Sequence, residues 1–158
     1  SPGPRAQGRG PRLAAKRESH MPGEGLVDSS SQGAAARVRS VRDLIAWQRT
    51  YALALAVVRA SESFPKEERF GLVTQIRRSA VSVPSNIAEG FGRGSRQDYI
   101  RFLYVARGSL YELSTQWSLA SDLGYIAPEL SREVLSQVDE CERVLWGLIR
   151  ALERRNQD

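Results

Sequence analysis

Seven arginines between residues 69 and 107 are the side chains of this sequence best suited to hold an anion. Only Glu89 and Asp98 oppose them there, which leaves that stretch with a net charge of +5. Because the planar guanidinium matches the geometry of phosphate oxygens, the pattern predicts contacts to a nucleic-acid backbone. A tyrosine among them offers a ring on which a base could stack. The candidate nucleic-acid-binding residues are Arg69, Arg77, Arg78, Arg93, Arg96, Arg101, Tyr104 and Arg107.

The same arginines have a second interpretation, as ion pairs between subunits. Residues 108–158 carry a net charge of −4, and an oligomer with head-to-tail contacts pairs unlike surfaces of its subunits. The sequence leaves both roles open, and we expect the arginines to divide between them.

Three glycines at alternate positions, Gly90, Gly92 and Gly94, raise the question of a nucleotide-binding loop. Such loops follow a β-strand, and a P-loop also needs a lysine followed by Ser or Thr where the next helix begins. Here the preceding residues have helical periodicity, and "GFGRGS" contains no lysine. We therefore interpret the glycines as the C-terminus of a helix with left-handed backbone conformations, followed by Ser95 as the N-cap of the next helix.

Side chains suited to catalysis or metal binding are few. The single histidine, His20, lies in the glycine-rich N-terminal segment, and the single cysteine, Cys141, falls on an apolar helical stripe. No carboxylate pair or metal-ligand cluster has a recognisable spacing. The sequence therefore predicts a protein that is not an enzyme, with no catalytic residue, cofactor or metal. The single cysteine and the shortness of every apolar run favour a soluble protein of the cytoplasm, without membrane association.

Residues 43–158 show helical periodicity in four segments with short connections. Asp43 is the expected N-cap of the first helix, Gly124 the expected end of the third, and Pro128 the expected start of the fourth. Such a pattern predicts an all-α fold, an antiparallel up-down four-helix bundle. The apolar stripe expected for the first helix is Leu44, Trp47, Gln48, Tyr51, Leu55 and Val58.

The stripe of the second helix runs from Phe70 to Phe91 and keeps its phase through Pro84. We therefore predict one helix with a kink at Pro84, the alternative being two separate helices. Polar residues beside the proline are expected to bond the carbonyls that it frees, with Glu89 pairing with Arg93. The alternative is a polar site for RNA or substrate. The predicted kink and corner residues are Ser82, Pro84, Asn86, Glu89, Gly90, Gly92 and Gly94.

Residues 1–42 contain six of the 13 glycines, four of the seven prolines and no aromatic residue, with a net charge of +5. A segment of this composition is predicted to be a disordered basic arm, and an arm of this charge suits an anionic partner. The alternative is that these residues are not part of the native protein, or that residues 1–20 lie upstream of a start at Met21.

Residues 51–58, "YALALAVV", are apolar on every face of a helix. Tyr104 and Tyr111 form a second aromatic line beside the main stripe of the third helix. A helix that is apolar all round is buried on more than one side, so the pattern predicts burial against another subunit.

Several stretches together are similar to one protein family: "DLIAWQ" at 43–48, "FGLVTQIRRSAVSVPSNIAEGFGRGS" at 70–95 and "LYVARGSLYEL" at 103–113. They resemble the four-helix-bundle family of 23S rRNA intervening-sequence proteins. The resemblance implies a cyclic homopentamer. It also implies a fold similar to the accessory protein of diversity-generating retroelements, a basic pentamer associated with a reverse transcriptase and nucleic acid.

Both arguments predict a non-enzymatic oligomeric protein that binds nucleic acid, with RNA favoured over DNA as the ligand. It could also act as the accessory subunit of a nucleic-acid-processing protein. The alternative is an interaction scaffold whose ring binds another protein.

Overall fold

The computed structural model of the protein describes residues 37–155, which form four α-helices and, within that range, no strand. Short 3-10 helices at Val41–Asp43 and Lys66–Glu68 precede the first and second α-helices. The predicted arm at residues 1–42 lies largely outside the described residues and stays a prediction. The helices are α1 Ile45–Ser61, α2 Leu72–Phe91, α3 Arg96–Asp122 and α4 Pro128–Arg154.

Each helix packs against the next one in the chain, and α4 also packs against α1. The buried side chains form one apolar cluster between the four helices. Trp117 of α3 is its largest fully buried member, and its indole N–H donates to the carbonyl of Ser131 at 3.4 Å. The prediction of an all-α bundle of four helices is confirmed, whereas its antiparallel up-down order stays a prediction. Within residues 37–155, no helix combines the length and the apolar character needed to cross a bilayer.

The core face of α1 differs from the predicted one. Tyr51 and Leu55, both on the predicted stripe, are 51% and 40% exposed. An uninterrupted apolar run gives a helix no unique phase, so periodicity cannot tell its inner face from its outer face. The inner face consists mostly of small or polar residues, which allow neighbouring helices to pack closely. The buried residues of α1 are Ala46, Thr50, Leu53, Ala54, Val57 and Ser61.

Contrary to the sequence prediction, Asp43 does not cap α1. Leu44 occupies the N-cap position and provides no side-chain cap. The Asp43 carboxylate instead accepts the backbone N–H groups of Arg39 at 2.8 Å and Ser40 at 3.0 Å. These two hydrogen bonds lower the pKa of Asp43, the bond from Arg39 having the larger effect. Asp43 therefore ties the preceding segment to the start of the bundle.

The second helix begins later than its apolar pattern predicted. Phe70 is 88% exposed and does not belong to the core. The first residue of α2 is Leu72, whose N–H donates to the Glu68 carboxylate at 3.1 Å. The helix then runs unbroken through the buried Pro84, which confirms one helix rather than two. The kink at Pro84 stays a prediction.

The sequence predicted left-handed backbone conformations at Gly90, Gly92 and Gly94, in the corner between α2 and α3. This prediction is wrong. Gly92 caps α2 at a φ of −76°, and Gly124 is the only glycine within residues 37–155 with a positive φ, of 80°. The corner needs a glycine for another reason. A Cβ on Gly90 would lie 2.8 Å from the Cβ of Phe102, so the missing side chain lets α2 and α3 approach.

The predicted boundaries of the last two helices are confirmed. Ser95 caps α3, its hydroxyl accepting the N–H of Asp98 at 3.1 Å. Gly124 follows the end of α3, and Pro128 is the first residue of α4. The buried face of α4 includes Cys141, as its apolar stripe indicated.

Candidate nucleic-acid interface

Two of the predicted arginines meet over one aromatic ring at the α2–α3 corner. The guanidinium carbon of Arg93 lies 4.9 Å from the ring centre of Phe102, and that of Arg101 lies 4.7 Å from it. Both distances are within the range of cation–π attraction. The side chains of Arg93 and Arg101 are 45% and 62% exposed, so both cations remain accessible to solvent.

Each of these arginines also has a carboxylate neighbour on its own segment. Arg93 contacts Glu89 at 2.6 Å, as predicted, and Arg101 contacts Asp98 at 3.5 Å. Exposed pairs of this kind contribute little stability, and each engages one nitrogen of a group with five N–H donors. The arginines are thus oriented by the pairs while keeping donors for a phosphate.

The end of α4 lies beside the same corner. Arg96 donates from Nη1 to the backbone carbonyl of Arg155 at 3.0 Å. Arg154 and Arg155, neither of them among the predicted residues, are both exposed there. Sequence reasoning missed them because the contact between Arg96 and Arg155 joins residues 59 positions apart, which no local pattern reveals. We call the set Arg93, Arg96, Arg101 and Phe102 the corner surface.

The polar residues beside Pro84 bond to one another and to α3. Asn86 donates from Nδ2 to the carbonyl of Ser82 at 2.8 Å and to its hydroxyl at 2.9 Å. The Ser82 hydroxyl also lies 2.8 Å from that of Ser109 on α3. These contacts agree with the structural interpretation of Ser82 and Asn86, because both side chains are engaged within the bundle.

Arg107 and Tyr104 contact α4 rather than Phe102, on the face formed by α3 and α4. Arg107 donates from Nε to Glu142 at 3.0 Å and lies 4.3 Å from the ring centre of Trp146. The bond to Glu142 raises the pKa of Arg107. Tyr104 donates to Glu153 at 2.7 Å, and this bond raises the pKa of the phenol. The side chain of Arg107 is only 29% exposed, so Arg107 is a poorer candidate for phosphate contact than the more exposed Arg93 and Arg101.

The remaining predicted arginines lie near the start of α2. Arg69 is exposed, with its guanidinium 5.4 Å from the ring centre of Phe70. Arg77 is partly buried and donates from Nε to the hydroxyl of Ser61 at 2.7 Å. Arg78 is exposed. The predicted set of eight therefore divides among three places rather than forming one surface.

An apolar groove runs along the outer side of α1 and α2. Its cavity has a volume of about 380 Å³. Trp47 and Tyr51 stack in it at 4.9 Å between ring centres, and Val81 on the α2 side is 50% exposed. We call this cavity the α1–α2 groove; its lining is Trp47, Tyr51, Ala54, Leu55, Val58, Val81, Pro84, Ser85 and Ala88.

Comparison with known proteins places this bundle in a family. The family model for 23S rRNA-intervening sequence proteins matches residues 42–147. The chain belongs to the 23S rRNA-intervening sequence protein family. The resemblance noted in the sequence is thereby confirmed.

One similar solved structure is a protein of unknown function from the S23 ribosomal protein family of Bacteroides thetaiotaomicron. It is 24% identical, with a TM-score of 0.62, and the alignment covers 66% of this chain and 98% of that one. A likeness at this identity supports the fold alone. A comparison with the curated proteins found no match.

The matched range of this intervening-sequence protein contains every predicted arginine, whereas Arg154 and Arg155 lie beyond it.

Within residues 37–155 no three His, Cys, Asp or Glu side chains are grouped so that they could hold a metal. Cys141 is 2% exposed, and burial raises the pKa of its thiol to about 12. A thiol in that state is a poor nucleophile near neutral pH.

Proposed function

We propose that this 23S rRNA-intervening sequence protein is a homo-oligomer that binds nucleic acid, RNA in the first place, through the corner surface. The observation that carries the proposal is the pair Arg93 and Arg101, exposed and both within 5 Å of the ring centre of Phe102. Guanidinium groups can bind phosphate oxygens through their forked donors and can stack on unpaired bases. The arrangement therefore suits single-stranded or looped RNA better than a smooth duplex.

The oligomer we infer is a cyclic pentamer of antiparallel up-down bundles, as the family resemblance implies. The α1–α2 groove is the surface proposed to contact a second copy of the chain. Its exposed apolar side chains, such as Tyr51 and Val81, suit burial in a subunit interface. The opposite net charges of residues 69–107 and 108–158 suit head-to-tail contacts, in which unlike surfaces meet.

Five copies of the corner surface on one ring would bind a flexible RNA with higher avidity than one copy. The ring itself is proposed to be non-enzymatic and to act by binding, as an RNA-binding protein or as the accessory subunit of a nucleic-acid-processing protein.

The test compares two triple variants with equal loss of charge. Arg93, Arg96 and Arg101 are replaced by Ala in the first, and the exposed Arg59, Arg132 and Arg143 in the second. Binding of a fluorescent single-stranded RNA is followed by anisotropy over a range of salt concentrations. If the corner surface contacts phosphates, the first variant loses affinity and its log–log salt slope falls by up to about 2, at about 0.7 per phosphate. The second variant should keep most of the affinity and slope of the unsubstituted protein.

The alternative is a ring that binds another protein, and the carboxylate partners that Arg93 and Arg101 already have within the subunit favour it. It predicts no RNA or DNA binding by the full-length oligomer even at about 50 mM salt, where phosphate contacts are strong. Equal effects of the two triple variants would also contradict a specific role for the corner surface.

A further inference from the structure

A second cationic site lies between the end of α1 and the start of α2. A cavity of about 260 Å³ opens there, with the buried Phe64 and Val73 as its apolar wall. Three cations line it, Lys66, Arg69 and Arg77, against one carboxylate, that of Glu62. Within residues 37–155 none of these four side chains takes part in an ion pair. The side chains that line the cavity therefore carry a net charge of +2.

Arg77 is held in this cavity by a buried serine. Its Nε donates to the hydroxyl of Ser61 at 2.7 Å, and that hydroxyl donates to the carbonyl of Val58 at 2.7 Å. Ser61 is only 2% exposed, so the chain of bonds starts from a fixed point in the core. A guanidinium has five N–H donors, and four remain on Arg77 after this contact.

Arg77 and Arg107 are the only partly buried arginines among the described residues, and they differ in their partners. Arg107 donates to a carboxylate, Glu142, at 3.0 Å. Arg77 has only the neutral hydroxyl of Ser61. Removing a cation from water without an anionic partner is unfavourable, and a bound anion would compensate for it. Arg77 is therefore the one partly buried arginine among the described residues that lacks an anionic partner.

We propose that this cavity binds a phosphate group, either a terminal phosphate monoester or free inorganic phosphate. Arg77 supplies a pre-oriented fork for two phosphate oxygens, and Lys66 and Arg69 add charge at the exposed rim. The apolar wall strengthens these hydrogen bonds by excluding water from one side. From Arg77 to the end of α2 is 14 residues, about 21 Å along the helix, so the cavity is separate from the corner surface. The inference goes beyond the nucleic-acid binding proposed above and does not depend on it.

The experiment uses the full-length protein with three probes: inorganic phosphate, a short RNA with a 5′-phosphate, and the same RNA with a 5′-hydroxyl. Affinities come from calorimetry, and the side-chain Nε–Hε signal of Arg77 is followed by NMR. We expect phosphate to shift this signal and Arg77→Gln to weaken phosphate binding by at least about tenfold. Arg59→Gln changes an exposed arginine of α1 that does not line the cavity, and should leave the phosphate affinity unchanged.

Two comparisons distinguish the source of the phosphate. A tenfold preference for the 5′-phosphorylated RNA over the 5′-hydroxyl RNA, lost in Arg77→Gln, assigns the cavity to a terminal phosphate. Binding of inorganic phosphate without that preference assigns it to the free anion. An Arg77 signal unmoved by any phosphate overturns the proposal and points instead to a carboxylate of a neighbouring subunit as the partner.

A second pair of substitutions covers the case in which Arg77→Gln does not fold. Lys66→Gln with Arg69→Gln removes only exposed side chains, and we expect it to reduce phosphate affinity in a protein with an unchanged thermal midpoint. Unchanged affinity in this variant would count against the proposal. Because the 5′-hydroxyl RNA still reports on the corner surface, failure of the phosphate pocket is distinguishable from failure of RNA binding.

Discussion

Gly90 of α2 and Phe102 of α3 are in such close contact that a Cβ on Gly90 would lie 2.8 Å from the Cβ of Phe102. The backbone carbonyl oxygen of Tyr99 would lie 3.1 Å from the Cβ added at Gly90. The close approach fixes the position of the Phe102 ring, over which Arg93 and Arg101 lie. A glycine in α2 thus determines the geometry of the corner surface on α3.

Replacing Gly90 by Ala should destabilise the protein by up to about 2 kcal/mol. Overpacking usually costs about 1–3 kcal/mol, and Ala brings a gain of about 1 kcal/mol to a helix. The free energy of unfolding is measured by urea titration. Gly147→Ala is the matched control, since a Cβ there has no atom within 4 Å, and it should stabilise the protein by about 0.5–1 kcal/mol. Equal stabilities for the two variants would show that the helices can separate at the corner without cost.

Ser82→Ala should cost about 0.5–1.5 kcal/mol, because the substitution removes the bond to Ser109 and one acceptor for Asn86. Ser85→Ala, three residues away and exposed, should stay within about 0.5 kcal/mol of the unsubstituted protein. Both free energies come from the same urea titration. RNA affinity should be unchanged in both variants; a loss of affinity without a loss of stability at Ser82 would support a binding role instead.

Stability should fall at alkaline pH through Cys141. Burial raises the pKa of its thiol from 9.0 to about 12, so the unfolded chain releases this proton at a lower pH than the folded protein does. The contribution of the protonated, buried thiol to the free energy of unfolding is fully present below about pH 9 and is lost as pH rises from about 9 to about 12. Unfolding midpoints at about pH 8 and about pH 10 measure it. Cys141→Ala should show a smaller decrease, and an identical decrease would mean that the thiol is not protected by burial.

Leu55→Asp should dissociate the proposed ring, because it places a carboxylate in the α1–α2 groove, where Leu55 is now 40% exposed. Five chains of 17.6 kDa give about 88 kDa by light scattering, and the variant should have a mass close to that of one chain. Phe70→Ser removes a more exposed apolar side chain outside the groove and should keep the mass of the unsubstituted protein. A monomeric unsubstituted protein at micromolar concentration would exclude the ring altogether.

Helix α1 shows where sequence reasoning was limited in predicting the fold. The existence of the helix followed from its apolar run, but its orientation did not, because Ala54 and Leu55 are equally compatible with a core on periodicity alone. Which of them is buried is decided by α2 and α4, whose positions are a property of the whole bundle. By contrast, the boundaries at Ser95 and Pro128 depend on local hydrogen bonding and ring geometry, and both were predicted correctly.

The candidate site was predictable in type but not in arrangement. Arginine content pointed to the right chemistry, yet Arg77, Arg93 and Arg107 have different surroundings that depend on contacts between helices. Ser61, which holds Arg77, lies 16 residues away and carried no recognisable signal. The contact of Phe102 with two guanidinium groups appears only once α2 and α3 are packed together.

The hydrogen bond from Arg96 to the carbonyl of Arg155 has a practical meaning for labelling. The backbone of Arg155 lies within bonding distance of the corner surface, and its side chain is exposed. A small fluorophore attached at position 155 would therefore be close enough to RNA held by the proposed surface to change its emission, which makes this position the preferred site for a reporter.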